Sequence, residues 1–275
     1  MHLILNLFKK KIVKSETKKI VRTKPTSHAA GRKGEIGEYK IDIQLSQFPK
    51  NYKFLNDIMV ENPESISGYS QIDHIIVTPY GIFVIEVKNY LGTIYGGKER
   101  RTWLVNGKFK MMNPLFQNYG HIKAIKNVLN KGREHTFISL ITFTKRCTLK
   151  IGEDIRHISS DEMVIYDFYL SETINRKISI AKLQSDASLY SDKDIESIHS
   201  TISASNITDP EKRQEHNRMI QSAVKDRSLK TNNANQVATC VVCNKSVSDK
   251  VKNYCLANKK RFNGKIYCYD HQRLV

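Results

Sequence analysis

The apolar residues of the chain are most regular in two short β-branched runs, at 71–78 and at 82–88. Each run has the length and composition of a buried strand. Between them, Thr78-Pro79-Tyr80-Gly81 has proline in the second position and glycine in the fourth, which is the chemistry of a type I turn. The pattern therefore predicts a β-hairpin over 71–88.

Apolar residues at helical spacing flank this hairpin. Ile41, Leu45 and Phe48 predict a helix over 31–48 that ends before Pro49. Asn113-Pro114 combines an N-cap residue with proline at the first helical position and predicts the start of a second helix. The apolar stripe of this second helix consists of Leu115, Ile122, Ile125 and Leu129. Gly132 is the predicted C-terminal stop of the helix.

Two further apolar segments, 52–60 and 136–143, predict strands. The resulting order of helix, three strands, helix and strand predicts a mixed α/β layer fold. Residues 89–112 are rich in glycine and are predicted to be mostly loop, whereas 171–226 are predicted to be helical, as packing or linker. The polar segment 228–239 is predicted to be a flexible joint.

We therefore expect four parts along the 275 residues. They are a basic N-terminal arm over 1–30, an α/β domain over 31–150, a helical extension and linker over 151–227, and a small C-terminal module over 236–275.

Positive charge is concentrated at the two ends of the chain. The formal net charge is +18, of which 1–24 carry +7 and 225–275 carry +8. Such ends suit tails that bind phosphates without regard to sequence, so we expect a nucleic acid, DNA or RNA, as the first choice of partner and an acidic membrane surface as the second. The alternative interpretation is that the charge serves solubility alone.

The first residues do not have the order of a secretory signal. A short apolar stretch comes first and lysines follow it, which reverses the pattern of a signal peptide. No apolar run approaches the roughly 18 residues of a membrane span. We expect a cytoplasmic protein without stable membrane insertion, with weak peripheral membrane contact by the N-terminal segment as the alternative.

The predicted hairpin brings two acids toward each other. If Val77 pairs with Ile82 across the turn, Asp73 lies opposite Glu86 on the same face. Opposed carboxylates repel each other, and a hard cation such as Mg²⁺ or Mn²⁺ between them would turn that repulsion into attraction.

The same register places Gln71 opposite Lys88, on the face of the two acids. The Lys88 ammonium would then stabilise charge on a phosphate or position a water molecule, while the metal activates that water. The alternative is a cross-strand salt bridge or a solvent-facing set of charges.

Three segments of the chain resemble the NERD domain, the nuclease-related domain: GEIGE (34–38), QIDHIIVTPYGIFVIEVKNYLG (71–92) and NPLFQ (113–117). The resemblance covers roughly 31–145. It implies a restriction-endonuclease-like fold of the PD-(D/E)xK class, with a mixed sheet flanked by helices, and a Mg²⁺-dependent nuclease site.

The resemblance also implies the roles of particular residues. Asp73, Glu86 and Lys88 match the D…E-x-K motif, with Asp73 and Glu86 as metal ligands. Glu38 matches the acidic residue of the first helix, and Gln71 matches the glutamine that precedes the aspartate. The usual proline before the aspartate is replaced by Ile72.

Helical spacing adds candidates beside these residues. Glu38 shares the inward face of Ile41 and Leu45, which suggests contact with a metal or water, although an acid near a helix start is also favoured by the helix dipole. Glu35, one turn earlier, is the rival. On the second helix, Gln117 and His121 are four residues apart and border the expected cleft, with His121 expected to be a partly exposed histidine.

The C-terminal module contains four of the five cysteines. Cys240 and Cys243 form C-x2-C, Cys268 and His271 form C-x2-H, and two such pairs supply the four ligands of a structural Zn²⁺ site. Cys255 is the alternative fourth ligand. Lysines and aromatic residues alternate around these ligands, which favours contact with nucleic acid, and the module resembles the small zinc fingers appended to some NERD and topoisomerase proteins.

Taken together, the sequence predicts a metal-dependent nuclease that acts on DNA, with the zinc module and the basic arm aiding DNA binding. A non-catalytic nucleic-acid-binding adaptor that retains the fold is the first alternative. A zinc-module protein whose partner is another protein is the second.

Overall fold

The computed structural model of the chain describes residues 37–129, 134–185, 187–234 and 238–275, with 225–234 described by their backbone alone. The basic arm over 1–30, Glu35 and the predicted helix stop at Gly132 lie outside the described residues.

Nine strands are present in this part of the chain. In chain order they are β1 (Lys53–Glu61), β2 (Tyr69–Thr78), β3 (Gly81–Lys88), β4 (Gly92–Tyr95), β5 (Thr102–Val105), β6 (Phe109–Met112), β7 (Phe137–Phe143), β8 (Cys147–Lys150) and β9 (Glu162–Tyr166).

The helices of the described ranges follow the predicted order. They are α1 over 37–45, α2 (Pro114–Leu129), α3 (Leu170–Gln184), α4 (Asp192–Ala204), α5 (Pro210–Ala234), α6 (Asp249–Ala257) and the short α7 (Lys259–Phe262). None of them combines the length and the apolar character that a membrane crossing requires.

The predicted hairpin of β2 and β3 is confirmed. Val77 pairs with Ile82, and Thr78 pairs with Gly81 at the turn. The Thr78 hydroxyl donates a hydrogen bond to the Gly81 carbonyl and accepts one from the Tyr80 N–H, so that it closes the turn from the inside. The hairpin forms the centre of a mixed sheet with the order β1-β2-β3-β7-β9.

Strands β3, β7 and β9 of this sheet run parallel to one another. Lys88 pairs with Phe143, which in turn pairs with Tyr166. The three strands therefore end at the same edge of the sheet, and the segments that follow them lie next to each other there.

Helices cover both faces of the main sheet, as the mixed α/β prediction requires. On one face, Ile75, Val77, Ile82 and Val84 pack against α2 and α4. On the other, Ile76, Phe83 and Ile85 pack against α1 and α3. The region 171–226 thus contributes to the core through α3 and α4 and is more than a linker.

The prediction that 89–112 are mostly loop is wrong. This segment forms β4, β5 and β6, which join β8 in a second mixed sheet with the order β6-β5-β4-β8. Each of the four strands has only four residues, too few for the period-2 pattern to show in a sequence with several glycines. Trp103 is fully buried beneath this sheet and stacks on Phe143 of β7.

The predicted joint over 228–239 is also wrong for residues 228–234, because α5 continues to Ala234. The C-terminal segment that follows packs Cys255 and Phe262 together with Tyr267 in a small core of its own.

Candidate active site and metal cluster

The regular pairing of the hairpin stops just before the two acids. His74 and Ile85 are the last ladder pair of β2 and β3, so Asp73 and Glu86 are not paired across the ladder as expected. The Asp73 carboxylate instead accepts a hydrogen bond from the Val87 N–H, with 2.7 Å between Oδ2 and N. A charged acceptor makes a stronger bond than a backbone carbonyl, and this bond holds Asp73 beside β3.

The alternation of faces along β2 also breaks at this point. Ile72 and Ile75 belong to the same core cluster although they are three residues apart, so the expected single face from residue 71 to residue 77 is wrong. In the neighbouring strand, Asp57 has the left-handed φ of +51°. The Gln71 amide donates to Asp57 Oδ1 at 2.6 Å, on the neighbouring strand, rather than to Asp73 or Glu86.

Glu86, Lys88 and Gln117 form a closed set of contacts. The Lys88 ammonium donates to Glu86 Oε1 and to Gln117 Oε1, the second bond at 2.9 Å. Gln117 Nε2 donates to Glu86 Oε1 at 2.8 Å. Gln117 reaches both charges because α2 begins directly after the second sheet, where Asn113 Oδ1 accepts a hydrogen bond from the Leu115 N–H.

His121 belongs to the same group. Its Nε2 lies 3.2 Å from Glu86 Oε2, and its residue exposure is only 8%. The expectation of a partly exposed histidine is therefore wrong, because α2 also buries the polar stripe of Asn118 and His121 against the sheet. The four-residue spacing of Gln117 and His121 was the available sequence signal.

Burial and neighbouring charges shift the ionisation of this group. Burial raises the pKa of Asp73 well above its usual value, and the negative charges of Glu86 and Glu38 raise it further against the opposing effects of the Val87 N–H and Lys88. Burial opposes the charge of Glu86 as well, but Lys88 and His121 outweigh it and lower the Glu86 pKa. The Glu86 carboxylate likewise outweighs burial at Lys88 and raises the Lys88 pKa.

These residues fit a hard divalent cation. Glu86 is 3% exposed, and its Oε2 atom faces His121 and makes no other hydrogen bond within the described residues. Asp73 is an acid whose ionisation is disfavoured by burial and by a second carboxylate, which a cation would reverse. Carboxylate oxygens are the ligands that Mg²⁺ and Mn²⁺ prefer.

Glu38 lies on the α1 side of this group. It is half-buried in the turn before Ile41 and Leu45, which are both in the core. Its charge reaches Asp73, where it contributes to the raised pKa. The structure thus brings Glu38, Asp73, Glu86 and Lys88 into one electrostatic group.

A second cluster lies in the C-terminal module. The ligand atoms of Cys240, Cys243, Cys268 and His271 all lie within 4.8 Å of one another. The Cys243 and Cys268 sulfurs are 3.8 Å apart, close to the roughly 3.8 Å between two thiolates that share one tetrahedral Zn²⁺ at about 2.3 Å. Three cysteines and one histidine in this arrangement can hold a metal such as zinc.

Cys255 lies outside this cluster and has other partners. Its sulfur accepts hydrogen bonds from the Tyr267 N–H at 3.5 Å and from the Gln272 amide at 3.3 Å.

At Cys240, burial raises the pKa, but the N–H groups of Cys268, Cys243 and Val242 outweigh it and lower the thiol pKa to about 6. A thiol with a lowered pKa is readily deprotonated to the thiolate that binds metal.

Comparisons with known proteins bear on the candidate active site. The model of the nuclease-related domain, NERD, matches residues 33–144, which include Glu38, the β2–β3 hairpin and the whole of α2. An uncharacterized protein of Bacillus anthracis is 32% identical over 193 residues, which are 69% of this chain and 84% of that protein. No solved structure matches the chain significantly. The chain therefore belongs to the family of proteins with a nuclease-related domain.

Proposed function

We propose that this protein is a metal-dependent nuclease that hydrolyses phosphodiester bonds of DNA in the cytoplasm. The observation that carries the proposal is the buried Glu86, which keeps its charge beside Lys88 while Asp73 lies close enough for the two carboxylates to affect each other. If this end of the hairpin were apolar, folding would not require the free energy needed to bury these charges.

In this proposal, Asp73 and Glu86 hold Mg²⁺ or Mn²⁺, and Glu38 adds negative charge on the α1 side. The bound cation would lower the pKa of a water molecule and polarise the phosphoryl group. Lys88 has three N–H donors, of which Glu86 and Gln117 take two. The third is left to orient water or to stabilise charge on the phosphate.

Gln117 is a positioning residue, because its amide contacts the carboxylate and the ammonium at once. His121 supports Glu86 from the opposite oxygen. Gln71 is given no part in the chemistry, since its amide is engaged with Asp57.

A non-catalytic nucleic-acid-binding adaptor is the second candidate. It is favoured by one observation: Glu86, Lys88 and Gln117 form a network of mutual hydrogen bonds. Such a network is compatible with a purely structural role.

Incubation of the purified chain with linear, circular and single-stranded DNA tests the nuclease against the adaptor. Mg²⁺ or Mn²⁺ is added or withheld. We expect cleavage that requires the cation and falls at least 100-fold in Lys88→Ala and in the isosteric Glu86→Gln, as expected for loss of charge stabilisation. Lys123→Ala is the matched control, because Lys123 lies on α2, the helix that carries Gln117, but pairs with Glu64 at the surface.

Each other outcome has a defined meaning. DNA binding without cleavage in the parent protein and all variants favours the adaptor. Cleavage that survives Glu86→Gln would show that the hydrolytic site lies elsewhere.

For the C-terminal cluster we propose a structural Zn²⁺ bound by Cys240, Cys243, Cys268 and His271, with the module contacting DNA. A closed four-ligand site supplies folding energy to a segment with little core. Metal analysis of purified variants tests the ligand set: Cys255→Ser should retain one zinc per chain, and His271→Ala should lose it. The opposite result would make Cys255 the fourth ligand.

A further inference from the structure

Three aromatic residues lie at and directly after the end of β9, at the edge where β3, β7 and β9 all end. We call Tyr166, Phe168 and Tyr169 the aromatic edge. Phe168 and Tyr169 are 48% and 47% exposed. The rings of Tyr166 and Phe168 stack, with centroids 5.7 Å apart and planes at 10°. The ring centroids of Phe168 and Tyr169 are 4.2 Å apart. Exposed aromatic rings that touch one another form a contiguous apolar patch, a feature that often marks an interaction site.

Hydrogen bonds from two other elements fix the aromatic edge in place. Tyr166 Oη accepts from the Leu149 N–H of β8 at 3.1 Å, and the Asp167 carbonyl accepts from the Gln44 amide of α1 at 2.9 Å. Within the segment, the buried Asp167 carboxylate accepts from the Phe168 N–H at 3.0 Å. The exposed rings are therefore held in position before any ligand arrives.

Basic side chains surround the rings. Lys145 Nζ lies 5.5 Å from the centre of the Phe168 ring. Tyr166 and Tyr169 also line a cleft of about 350 Å³ together with Arg156 and Arg176. The nearby acids are engaged, since Asp167 is buried and hydrogen-bonded and Glu172 pairs with Arg176 at 3.5 Å.

The aromatic edge is next to the candidate active site. Lys88, Phe143 and Tyr166 are successive partners across three parallel strands, so Tyr166 is two strand spacings, about 10 Å, from Lys88. The connection after β7 links the two: the Thr144 N–H donates to the Lys88 carbonyl at 3.1 Å, and Lys145 follows it over Phe168.

We propose that the aromatic edge is a binding surface for unpaired bases of a single-stranded nucleic acid whose backbone continues into the active site. This proposal rests on the proposed nuclease function. Fixed aromatic rings stack on bases of any sequence, and adjacent cations attract the backbone. Bases in a duplex already stack and pair, so the surface selects single-stranded or frayed segments.

The span of about 10 Å corresponds to about three nucleotides of B-form rise, and to fewer in a stretched strand. A strand of that length would reach from the Tyr166 end of the aromatic edge to a phosphate at Lys88.

The test is binding by the full chain without added Mg²⁺, so that no cleavage occurs. Fluorescence anisotropy compares a labelled 12-nucleotide oligothymidine with a 12-base-pair duplex. We expect Phe168→Ala and Tyr169→Ala each to raise the Kd for the single strand about 5-fold or more, the effect of losing one stacked base. The Kd for the duplex should change less than about twofold, and Phe168→Tyr should bind like the parent protein.

Phe109→Ala is the matched control, because Phe109 is an aromatic residue 68% exposed on β6, away from the aromatic edge. Thermal unfolding of each variant checks that the fold is kept; if Phe168→Ala unfolds, Tyr169→Ala carries the test.

Several results would overturn the proposal. These are unchanged single-strand binding in both alanine variants, equal losses for single strand and duplex, and no single-strand binding by the parent protein. A change in oligomeric state without a change in DNA binding would instead show that a second copy covers the rings. A parent protein that never cleaves DNA but shows the expected binding pattern would contradict the nuclease and leave the aromatic edge supported.

Discussion

At the scale of single residues, Glu86 explains why the hairpin departs from regular pairing. A carboxylate that is 3% exposed needs partners, and Lys88, Gln117 and His121 supply them. Asp73 is less well compensated: it accepts a hydrogen bond from the Val87 N–H, but burial and the charge of Glu86 still raise its pKa. The balance of charge in this group therefore depends on Lys88.

Replacing Lys88 by alanine should destabilise the protein when divalent cations are withheld. Glu86 and Asp73 would then be buried without a cation, a change that costs about 3 kcal/mol of unfolding free energy. The double variant Lys88→Ala/Glu86→Gln should lose less than Lys88→Ala alone, because it removes the unpaired charge. Urea unfolding measures both, and a double variant that is as unstable as the single one would contradict this account.

At the scale of elements, the second sheet depends on a close approach between backbone and ring. A Cβ atom on Gly96 would overlap the indole of Trp103, and Trp103 is fully buried against Phe143. The next residue, Gly97, has open space where a Cβ would be. The two neighbouring glycines therefore have different roles.

Gly96→Ala should lower the unfolding free energy by about 2 kcal/mol, because either the ring or the strand must move. Gly97→Ala should stay within about 0.5 kcal/mol of the parent protein. Chemical denaturation compares the two variants directly. Equal effects of the two substitutions would show that Trp103 does not depend on Gly96.

Helix α5 is attached to the main sheet by its first turns. The Arg213 guanidinium contacts Asp57 Oδ2 at 2.7 Å, and His216 Nδ1 lies 2.7 Å from the Ser67 hydroxyl. Burial lowers the pKa of His216, and the charges of His121 and Arg213 lower it further. His216 thus stays neutral in the folded protein at pH values where the unfolded chain is protonated.

The stability that depends on His216 should be present above pH about 6.5, the usual histidine pKa, and should be lost as the pH falls below it. Thermal unfolding midpoints measured between pH 7.5 and 5.5 should therefore fall more steeply in the parent protein than in His216→Gln. Parallel pH profiles would show that His216 does not titrate on unfolding.

At the scale of the whole molecule, the excess positive charge and the candidate catalytic residues lie in different parts of the chain. The ends over 1–24 and 225–275 carry net charges of +7 and +8 of the total of +18. The acids of the candidate active site lie between them. Affinity for DNA should therefore depend on the ends, and cleavage on the middle.

Deletion of residues 1–30 should weaken DNA binding and make it less sensitive to salt. Removing a net +7 can lower the slope of log K against log salt by up to about 6. Titrations at several salt concentrations measure this slope, and a chain with the arm lysines replaced by glutamine is the control for length. An unchanged slope would mean that the arm does not contact DNA.

The sequence by itself determined the hairpin, its register and the helices on either side, because β-branched runs, a Pro-Gly turn and helical spacing are local signals. It also favoured the cluster of Cys240, Cys243, Cys268 and His271, since C-x2-C and C-x2-H pairs are local as well, but it left Cys255 open as the alternative fourth ligand. The resemblance to the NERD family rested on the sequence segment around Asp73, Glu86 and Lys88.

Only the tertiary structure decided where the ladder ends and which side chains meet. The short strands β4 to β6 have no periodicity of their own and form through Trp103 and β8. Gln117 and His121 contact Glu86 although about 30 residues of chain separate them from it. Gln71 hydrogen-bonds to Asp57 because the alternation of side chains between the two faces of β2 is interrupted near Asp73. Long-range packing, which no local pattern encodes, therefore set the partners of the acids that the sequence had already identified.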